Sequence, residues 1–286
     1  MWGVILFATI VFEFSIVARS GRKAYVADDG NGDNRGRGPR SAPPRSSGPN
    51  RARRAQPRSE ERDKPQHDGP PIPADIEAKQ LAPEIRGELT TLDKNTADTV
   101  ARHLVAAGLL LDEDPETALE HARAARARSG RIAAVREAVG IAAYQCGDWA
   151  QALAELRAAR RMGSKSPLLP LIADCERGIG RPERAIEIAR SPEAAELTGD
   201  AADEMRIVAA GARSDLGQHE QAIAVLSSPQ LDKKRTGQMA ARLFYVYAET
   251  LLALGRNEEA LQWFISAAAA DLEGLTDAED RITELS

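Results

Sequence analysis

The stretch AAVREAVGIAAYQCGDWAQALAELRAARRM, residues 133 to 162, decides the fold. At its centre Gly147 provides the residue type that most easily adopts the left-handed conformation in which helices often end. Asp148 follows as a polar residue of the kind that caps the start of a second helix. Further on, Ala152 is small enough to let two helices approach closely, and Leu153 is predicted to face the interior. The stretch is therefore predicted to form a helix-turn-helix hairpin.

The same motif recurs along the chain, and self-similarity at a fixed period indicates a repeat architecture. Its five copies are PETAL at 115–119, GDWAQAL at 147–153, GRPERAI at 180–186, GQHEQAI at 217–223 and GRNEEAL at 255–261. Their small residues are Ala118, Ala152, Ala185, Ala222 and Ala260, at spacings of 34, 33, 37 and 38 residues. Four of the copies carry the turn glycine, as Gly147, Gly180, Gly217 and Gly255. The pattern predicts five helical hairpins in succession.

At these residues the chain resembles the tetratricopeptide repeat family. The second unit has Gly140 in its first helix, Gly147 in its turn, Trp149 after the turn, and the paired alanines Ala152 and Ala159. The last unit has matching residues, which are Phe244, Tyr247, Gly255, Ala260, Phe264 and Ala267. The resemblance covers residues 97 to 270, and it implies a right-handed superhelix of hairpins that binds other proteins without a cofactor.

The predicted fold class is therefore all-α, with an α-solenoid of about five hairpins over residues 74 to 286. The predicted units are 97–130, 131–163, 166–198, 200–234 and 236–270. Upstream, one or two short helices are expected between residues 74 and 92. Downstream, Thr276 and Glu279 have the spacing of a capping box and predict a capping helix over 277–284.

Two prolines interrupt the pattern in the third and fourth units. Pro192 and Pro229 follow soon after the second helix of their unit, where the family usually continues to another alanine. Since proline cannot continue a helix, these second helices should be short, and the middle of the array should be irregular.

The composition argues against an enzyme. Two cysteines, Cys146 and Cys175, are too few for a disulfide framework, and the four histidines are scattered. The chain lacks HExxH, GxSxG and P-loop patterns, which are the usual signatures of metalloprotease, hydrolase and nucleotide-binding sites. We predict no catalytic residues, no metal site and no cofactor.

Residues 1 to 18 are apolar and leave three alternatives open. The segment contains Glu13, and Arg19, Arg22 and Lys23 follow it, which is the reverse of the charge order in a secretory signal peptide. It is either a mis-assigned start, with Val26 as the true first residue, or a membrane anchor that keeps the rest of the chain in the cytoplasm, or a signal peptide.

Residues 19 to 73 are predicted to be a disordered basic tail. They are rich in Gly, Pro, Ser and Arg, and no large apolar residue occurs between Val26 and Ile72. Residues 19 to 64 hold 13 basic and 6 acidic residues, and RGRGPR and RARR resemble the tails of RNA-associated proteins. The tail is either a solvated linker or a segment, residues 27 to 64, that binds RNA or another polyanion weakly.

The resemblance implies that a ligand lies along the concave face formed by the first helices. Repeat phase then nominates as partner-binding residues Glu137, Tyr144, Asp174, Arg177, Arg242, Tyr245 and Glu249. The tyrosines could instead pack between neighbouring units, and the charged residues could be solvated surface. Residues 65 to 286 hold 25 basic and 36 acidic residues, a net charge of −11, so the expected partner is a basic or mixed-charge protein segment.

The sequence thus predicts a cytoplasmic scaffold or adaptor without chemistry of its own. One alternative is an RNA-associated or polyanion-associated protein that acts through its tail. Another is a membrane-tethered assembly factor, which requires that residues 1 to 18 are translated.

Overall fold

The computed structural model describes residues 69–286 of the chain. The predictions for residues 1–18, and those for the tail as far as residue 68, lie outside the described residues. From residue 69 onward the chain forms α-helices and two short 3-10 turns, without β-strands. The prediction of an all-α fold is confirmed for this part of the chain.

Aspartates and prolines set where the helices begin. The carboxylates of Asp93, Asp114 and Asp148 each accept a hydrogen bond of 3.0–3.1 Å from the backbone N–H three residues later, which satisfies a donor that the first helical turn leaves free. The helices are α1 (Pro83–Glu88), α2 (Lys94–Leu110), α3 (Pro115–Ser129), α4 (Ala133–Gln145), α5 (Trp149–Arg161), α6 (Leu169–Gly178), α7 (Pro182–Ala189), α8 (Pro192–Ala195), α9 (Gly199–Asp215), α10 (His219–Leu226), α11 (Gln238–Ala253), α12 (Asn257–Ala270) and α13 (Ala278–Leu285).

Ten of these helices pack as five consecutive pairs, which are α2 with α3, α4 with α5, α6 with α7, α9 with α10, and α11 with α12. The pairs overlap in turn with the five predicted units. Each pair also contacts the pair that follows it, and α13 packs on α12 at the C-terminal end. The 3-10 turns, Ala78–Gln80 and Leu89–Thr91, and α1 precede the first pair.

The motif alanines occupy one structural position. Each is the fourth residue of the second helix of its pair, and each is fully buried; they are Ala118, Ala152, Ala185, Ala222 and Ala260. A methyl group at this position lets the two helix backbones lie close together, which a longer side chain would prevent. The repeated sequence motif therefore corresponds to a repeated packing contact.

The four turn glycines also share one geometry. All have positive φ between 71° and 77°, a region that side chains with a Cβ rarely adopt. At each turn the N–H of the residue after the glycine donates to the carbonyl five residues earlier, at 2.8–3.0 Å; the pairs are Asp148 to Ala143, Arg181 to Glu176, Gln218 to Arg213 and Arg256 to Leu251. This bond is the mark of a Schellman helix end, and it explains why glycine is needed there.

The structure confirms the effect of the two prolines. Helices α7 and α10 have 8 residues each, whereas α3, α5 and α12 have 13 to 15. The predicted capping box at the C-terminal end is wrong. The N-cap of α13 is Asp277, one residue after Thr276, and its side chain makes no capping hydrogen bond; the Thr276 hydroxyl instead donates to Asp271 at 2.8 Å.

We expect Gly140→Ala to destabilise the protein by about 1–3 kcal/mol, because it overpacks the contact between α4 and α5. A Cβ at this position would lie 2.7 Å from Leu156 Cδ2 and 3.2 Å from the Leu156 backbone nitrogen. The free energy of unfolding is measured by urea denaturation of the full chain.

The matched control is Gly87→Ala. A Cβ at Gly87, also within a helix, meets no atom within 4 Å, so this change should be neutral or stabilise by up to about 1 kcal/mol. Equal effects of the two substitutions would contradict the assignment of Gly140 to a close helix contact.

Candidate functional site

The residues predicted to bind a partner lie largely inside the structure. Five of them are buried, namely Glu137, Tyr144, Asp174, Arg242 and Tyr245, and the other two, Arg177 and Glu249, are half-buried. Six of the seven take part in contacts between the first helices of successive pairs or with α13. We call this set of contacts the polar ladder; its members are Tyr144, Asp174, Arg177, Asp215, Glu204, Arg242, Tyr245, Glu249 and Arg281.

The ladder begins between α4, α6 and α9. The hydroxyl of Tyr144 donates a hydrogen bond of 2.6 Å to Asp174 Oδ2, and Arg177 Nη1 donates one of 2.8 Å to Asp174 Oδ1. Arg177 Nε also donates to Asp215 Oδ2 at 2.8 Å. Asp174 and Arg177, both on α6, thus connect the first helices of three successive pairs.

Burial controls the protonation of this group. Burial raises the pKa of Asp174, and Arg177 opposes that rise with its charge and hydrogen bond. Burial also raises the pKa of Tyr144 well above its ordinary value, so the phenol keeps its proton and acts as a donor. The contacts of Tyr144, Asp174 and Arg177 are suited to fix the register of α4, α6 and α9.

The next contact of the ladder joins α9 to α11. Arg242 Nη1 donates to Glu204 Oε2 at 2.7 Å and Arg242 Nη2 to Glu204 Oε1 at 2.9 Å, so the pair is bidentate. Both side chains are almost completely buried. Burial raises the pKa of Glu204, and the charge of Arg242 opposes the rise. A buried carboxylate of this kind depends on its arginine to stay ionised.

The last contact joins α11 to α13. Arg281 Nε donates to Glu249 Oε1 at 2.9 Å, and its guanidinium carbon lies 5.7 Å from the centroid of the Phe264 ring. Burial and the neighbouring Asp277 raise the pKa of Tyr245 on the same face of α11. Two of the three predicted partner-binding residues of the last unit, Tyr245 and Glu249, therefore contact the chain's own C-terminal helix or its N-cap.

Sequence reasoning nominated both sides of the contacts among Tyr144, Asp174 and Arg177, but only one side of the three other contacts of the ladder. Glu204, Asp215 and Arg281 were not predicted, although a signal for them exists in the spacing. Arg242 lies 38 residues after Glu204, Asp215 lies 38 residues after Arg177, and Arg281 lies 32 residues after Glu249. Opposite charges about one repeat apart are the pattern that could have identified these pairs.

Glu137 makes a separate contact near the start of α4. Its Oε2 atom accepts a hydrogen bond of 2.5 Å from the Ser164 hydroxyl, in the loop between α5 and α6, while Oε1 is buried without a hydrogen-bond partner. Burial raises the pKa of Glu137, and the bond from Ser164 opposes this. Direct contact of a partner with Glu137, or with the buried members of the ladder, would require these side chains to leave their present surroundings.

Two histidines that seemed scattered in the sequence meet in the first pair. His103 Nδ1 on α2 and His121 Nδ1 on α3 lie 2.9 Å apart, and both side chains are almost fully buried. A contact between two ring nitrogens at this distance needs one proton between them, so one nitrogen donates and the other accepts. Burial lowers the pKa of His121, and the charge of Glu120 opposes that shift.

Residues 69–286 contain neither a candidate metal site nor a candidate membrane span. No group of three or more His, Cys, Asp or Glu side chains there could hold a metal ion. Both cysteines are free thiols, and burial raises the pKa of Cys175. None of the helices in this range is long and apolar enough to cross a membrane.

Comparison with known proteins adds no relative. No model of a known protein family matches the chain, and no curated protein is similar to it.

We expect Arg242→Met to lower the free energy of unfolding at pH 7 by about 3–5 kcal/mol, because the Glu204 carboxylate would be buried without its counter-ion. The double variant Glu204→Met/Arg242→Met should recover most of the loss, because an apolar pair of similar volume needs no counter-ion. Urea denaturation of the wild type and both variants measures the difference.

The effect of pH on Arg242→Met has a definite sign. The folded-state pKa of Glu204 is raised, so protonation favours the folded state, and part of the lost stability should return as the pH falls from 8 towards 5.

A double variant as unstable as the single variant would show that lost packing, and not an uncompensated charge, is the cause.

We expect acid to act on the first pair of helices through His121, whose ring is buried against that of His103. The folded-state pKa of His121 is below its usual 6.5, so the contribution of His121 to the free energy of unfolding is fully present above pH 6.5 and is lost as the pH falls through the folded-state pKa. Between pH 7.5 and pH 5, His121→Gln should reduce that loss by an amount on the order of 1 kcal/mol. Thermal or urea unfolding at several pH values measures it.

The comparison variant is His219→Gln, at the start of α10 and outside the first pair of helices. If His121→Gln changed the pH dependence of unfolding no more than His219→Gln does, the buried pair would not be its source.

Proposed function

We propose that residues 74–286 form a right-handed α-solenoid of the tetratricopeptide type, and that the protein is a non-catalytic scaffold that binds a segment of another protein. The observation that carries the proposal is the fully buried alanine at the fourth position of all five second helices. Units that share one packing contact and one turn geometry stack on each other because no single pair can bury its apolar face alone.

The contacts between pairs support stacking in a single direction. The polar ladder joins α4 to α6, α6 to α9, α9 to α11 and α11 to α13, so a first helix is followed each time by the next first helix or by the C-terminal helix. The residue pairs differ from one contact to the next, but contact of each unit with the unit that follows is the arrangement from which solenoids are built.

The charge of the helical part indicates the chemistry of the partner. Residues 65–286 carry a net charge of −11, which favours a basic or mixed-charge segment by attraction and by steering of its approach. Since most of the nominated first-helix residues are buried, the proposed contacts are with exposed side chains that flank the ladder. In this proposal the protein works in the cytoplasm.

The test is an array of extended and helical peptides that differ in net charge, probed with the full chain. We expect retention of a subset of basic and mixed-charge peptides at 50 mM NaCl and a weaker signal at 300 mM NaCl, because salt screens charge contacts. Each retained peptide is compared with a scrambled peptide of the same composition, which should bind more weakly.

Two outcomes would count against a scaffold. One is retention of no peptide at either salt concentration, and the other is equal binding of every peptide and its scrambled partner. Strong binding of single-stranded RNA that is lost when the arginines of residues 51–54 are replaced by serine would favour the alternative in which residues 27–64 bind polyanions. Membrane tethering requires residues 1–18 in the mature protein, which N-terminal peptide mass spectrometry decides.

A further inference from the structure

The loop between α10 and α11, residues 227–237, is fastened at both ends to the helices around it. Near its start, Arg206 Nη2 on α9 donates to the Pro229 carbonyl at 2.9 Å. Near its end, Arg235 forms an ion pair of 2.7 Å with Asp203 on α9, and the Gly237 N–H donates to the Ala270 carbonyl of α12 at 2.9 Å. The residues between these anchors are held beside the last pair of helices.

One lysine of this loop lies on an aromatic side chain of α12. Lys233 Nζ is 4.3 Å from the centroid of the Trp263 ring. The indole is in turn in edge contact with Tyr247, at 4.9 Å between centroids, and is tilted against the fully buried Phe244 at 5.4 Å. Tyr247 and Trp263 are only half-buried. We call the half-buried pair Tyr247 and Trp263 the aromatic notch.

The position of Lys233 shows that the face of the Trp263 indole can hold a cationic side chain. An ammonium or guanidinium group over an indole face is attracted by the negative face of the ring. The charged groups that act on Tyr247 are Arg256 and Glu259, which form an ion pair of 2.7 Å with each other.

The contact between Lys233 and the Trp263 ring can be replaced by a contact of the ring with another cation. Lys233 is exposed and gains one weak interaction over the ring, at the cost of ordering a long flexible side chain. The anchors at Pro229, Arg235 and Gly237 do not depend on it. A second cation of the same kind can therefore replace Lys233 without unfastening the loop.

We propose that the aromatic notch receives a lysine or arginine side chain of a bound protein segment, and that Lys233 occupies the notch in the free protein. The inference rests on the proposed scaffold function and specifies one anchor point of the basic partner. The net charge of −11 on residues 65–286 brings basic segments to this surface, and the notch then selects the position of one cationic side chain.

The experiment compares the wild type with Lys233→Ala and with the matched control Lys234→Ala, which removes the same charge from the adjacent exposed residue. The probe is a blocked Gly-Lys-Gly tripeptide, followed through the indole N–H resonance of Trp263. A blocked Gly-Gln-Gly tripeptide is the neutral control ligand, and the indole N–H of Trp149 is the internal reference. Thermal unfolding confirms that both variants fold.

We expect the Trp263 resonance of Lys233→Ala to shift saturably with the lysine probe, at a half-saturating concentration about two- to fivefold below that of the wild type. Lys234→Ala should match the wild type, and the glutamine probe should cause no shift. Equal half-saturation in all three proteins, or an equal response to both probes, would overturn the proposal.

The peptide array and the titration of the Trp263 resonance together distinguish a failure of the notch proposal from a failure of the scaffold proposal. If the peptide array retains basic segments while the Trp263 resonance fails to respond, the scaffold stands and the notch is wrong. If the notch takes the lysine probe while the array retains nothing, the scaffold proposal fails by itself.

Discussion

Each pair of helices depends on a close approach of two backbones, and that approach is possible only where the side chain between them is small. A fully buried alanine supplies this position in the second helix of each of the five pairs, and in the second pair Gly140 adds a close contact with Leu156. The small residue allows the two helices of a pair to lie close together, whereas the second helix varies from 8 to 15 residues between pairs. Each pair then contacts the pair that follows it.

Charged side chains are placed between the units, where burial makes a wrong pairing costly. Asp174 and Glu204 have pKa values raised by burial, and each carboxylate is held by an arginine, Arg177 or Arg242. Such a pair adds little net stability compared with apolar side chains, but a misplaced partner would leave a charge buried alone. The ladder therefore acts mainly on the register of one unit against the next, and the alanines act on the geometry within each unit.

Because the alanines and most of the polar ladder are buried, the side chains that remain accessible lie on the outer helix faces and in the connections between helices. The residues that repeat phase assigns to a ligand face are engaged inside the protein, and in the last unit Glu249 is covered by Arg281 of α13. By contrast, the loop over residues 227–237 carries an exposed lysine on a half-buried tryptophan. A loop of this kind can vary in sequence without disturbing the packed interior.

The sequence by itself determined what depends on local chain chemistry: the helical class, the turns at Gly147, Gly180, Gly217 and Gly255, and the early ends of α7 and α10. These features follow from backbone preferences and from residue size, which a motif of a few residues encodes. Only the tertiary structure decided which side chains meet. His103 with His121, Glu204 with Arg242 and Lys233 with Trp263 are far apart in sequence, so their contacts depend on how the helices pack, and that same packing buried residues whose repeat phase suggested an open face.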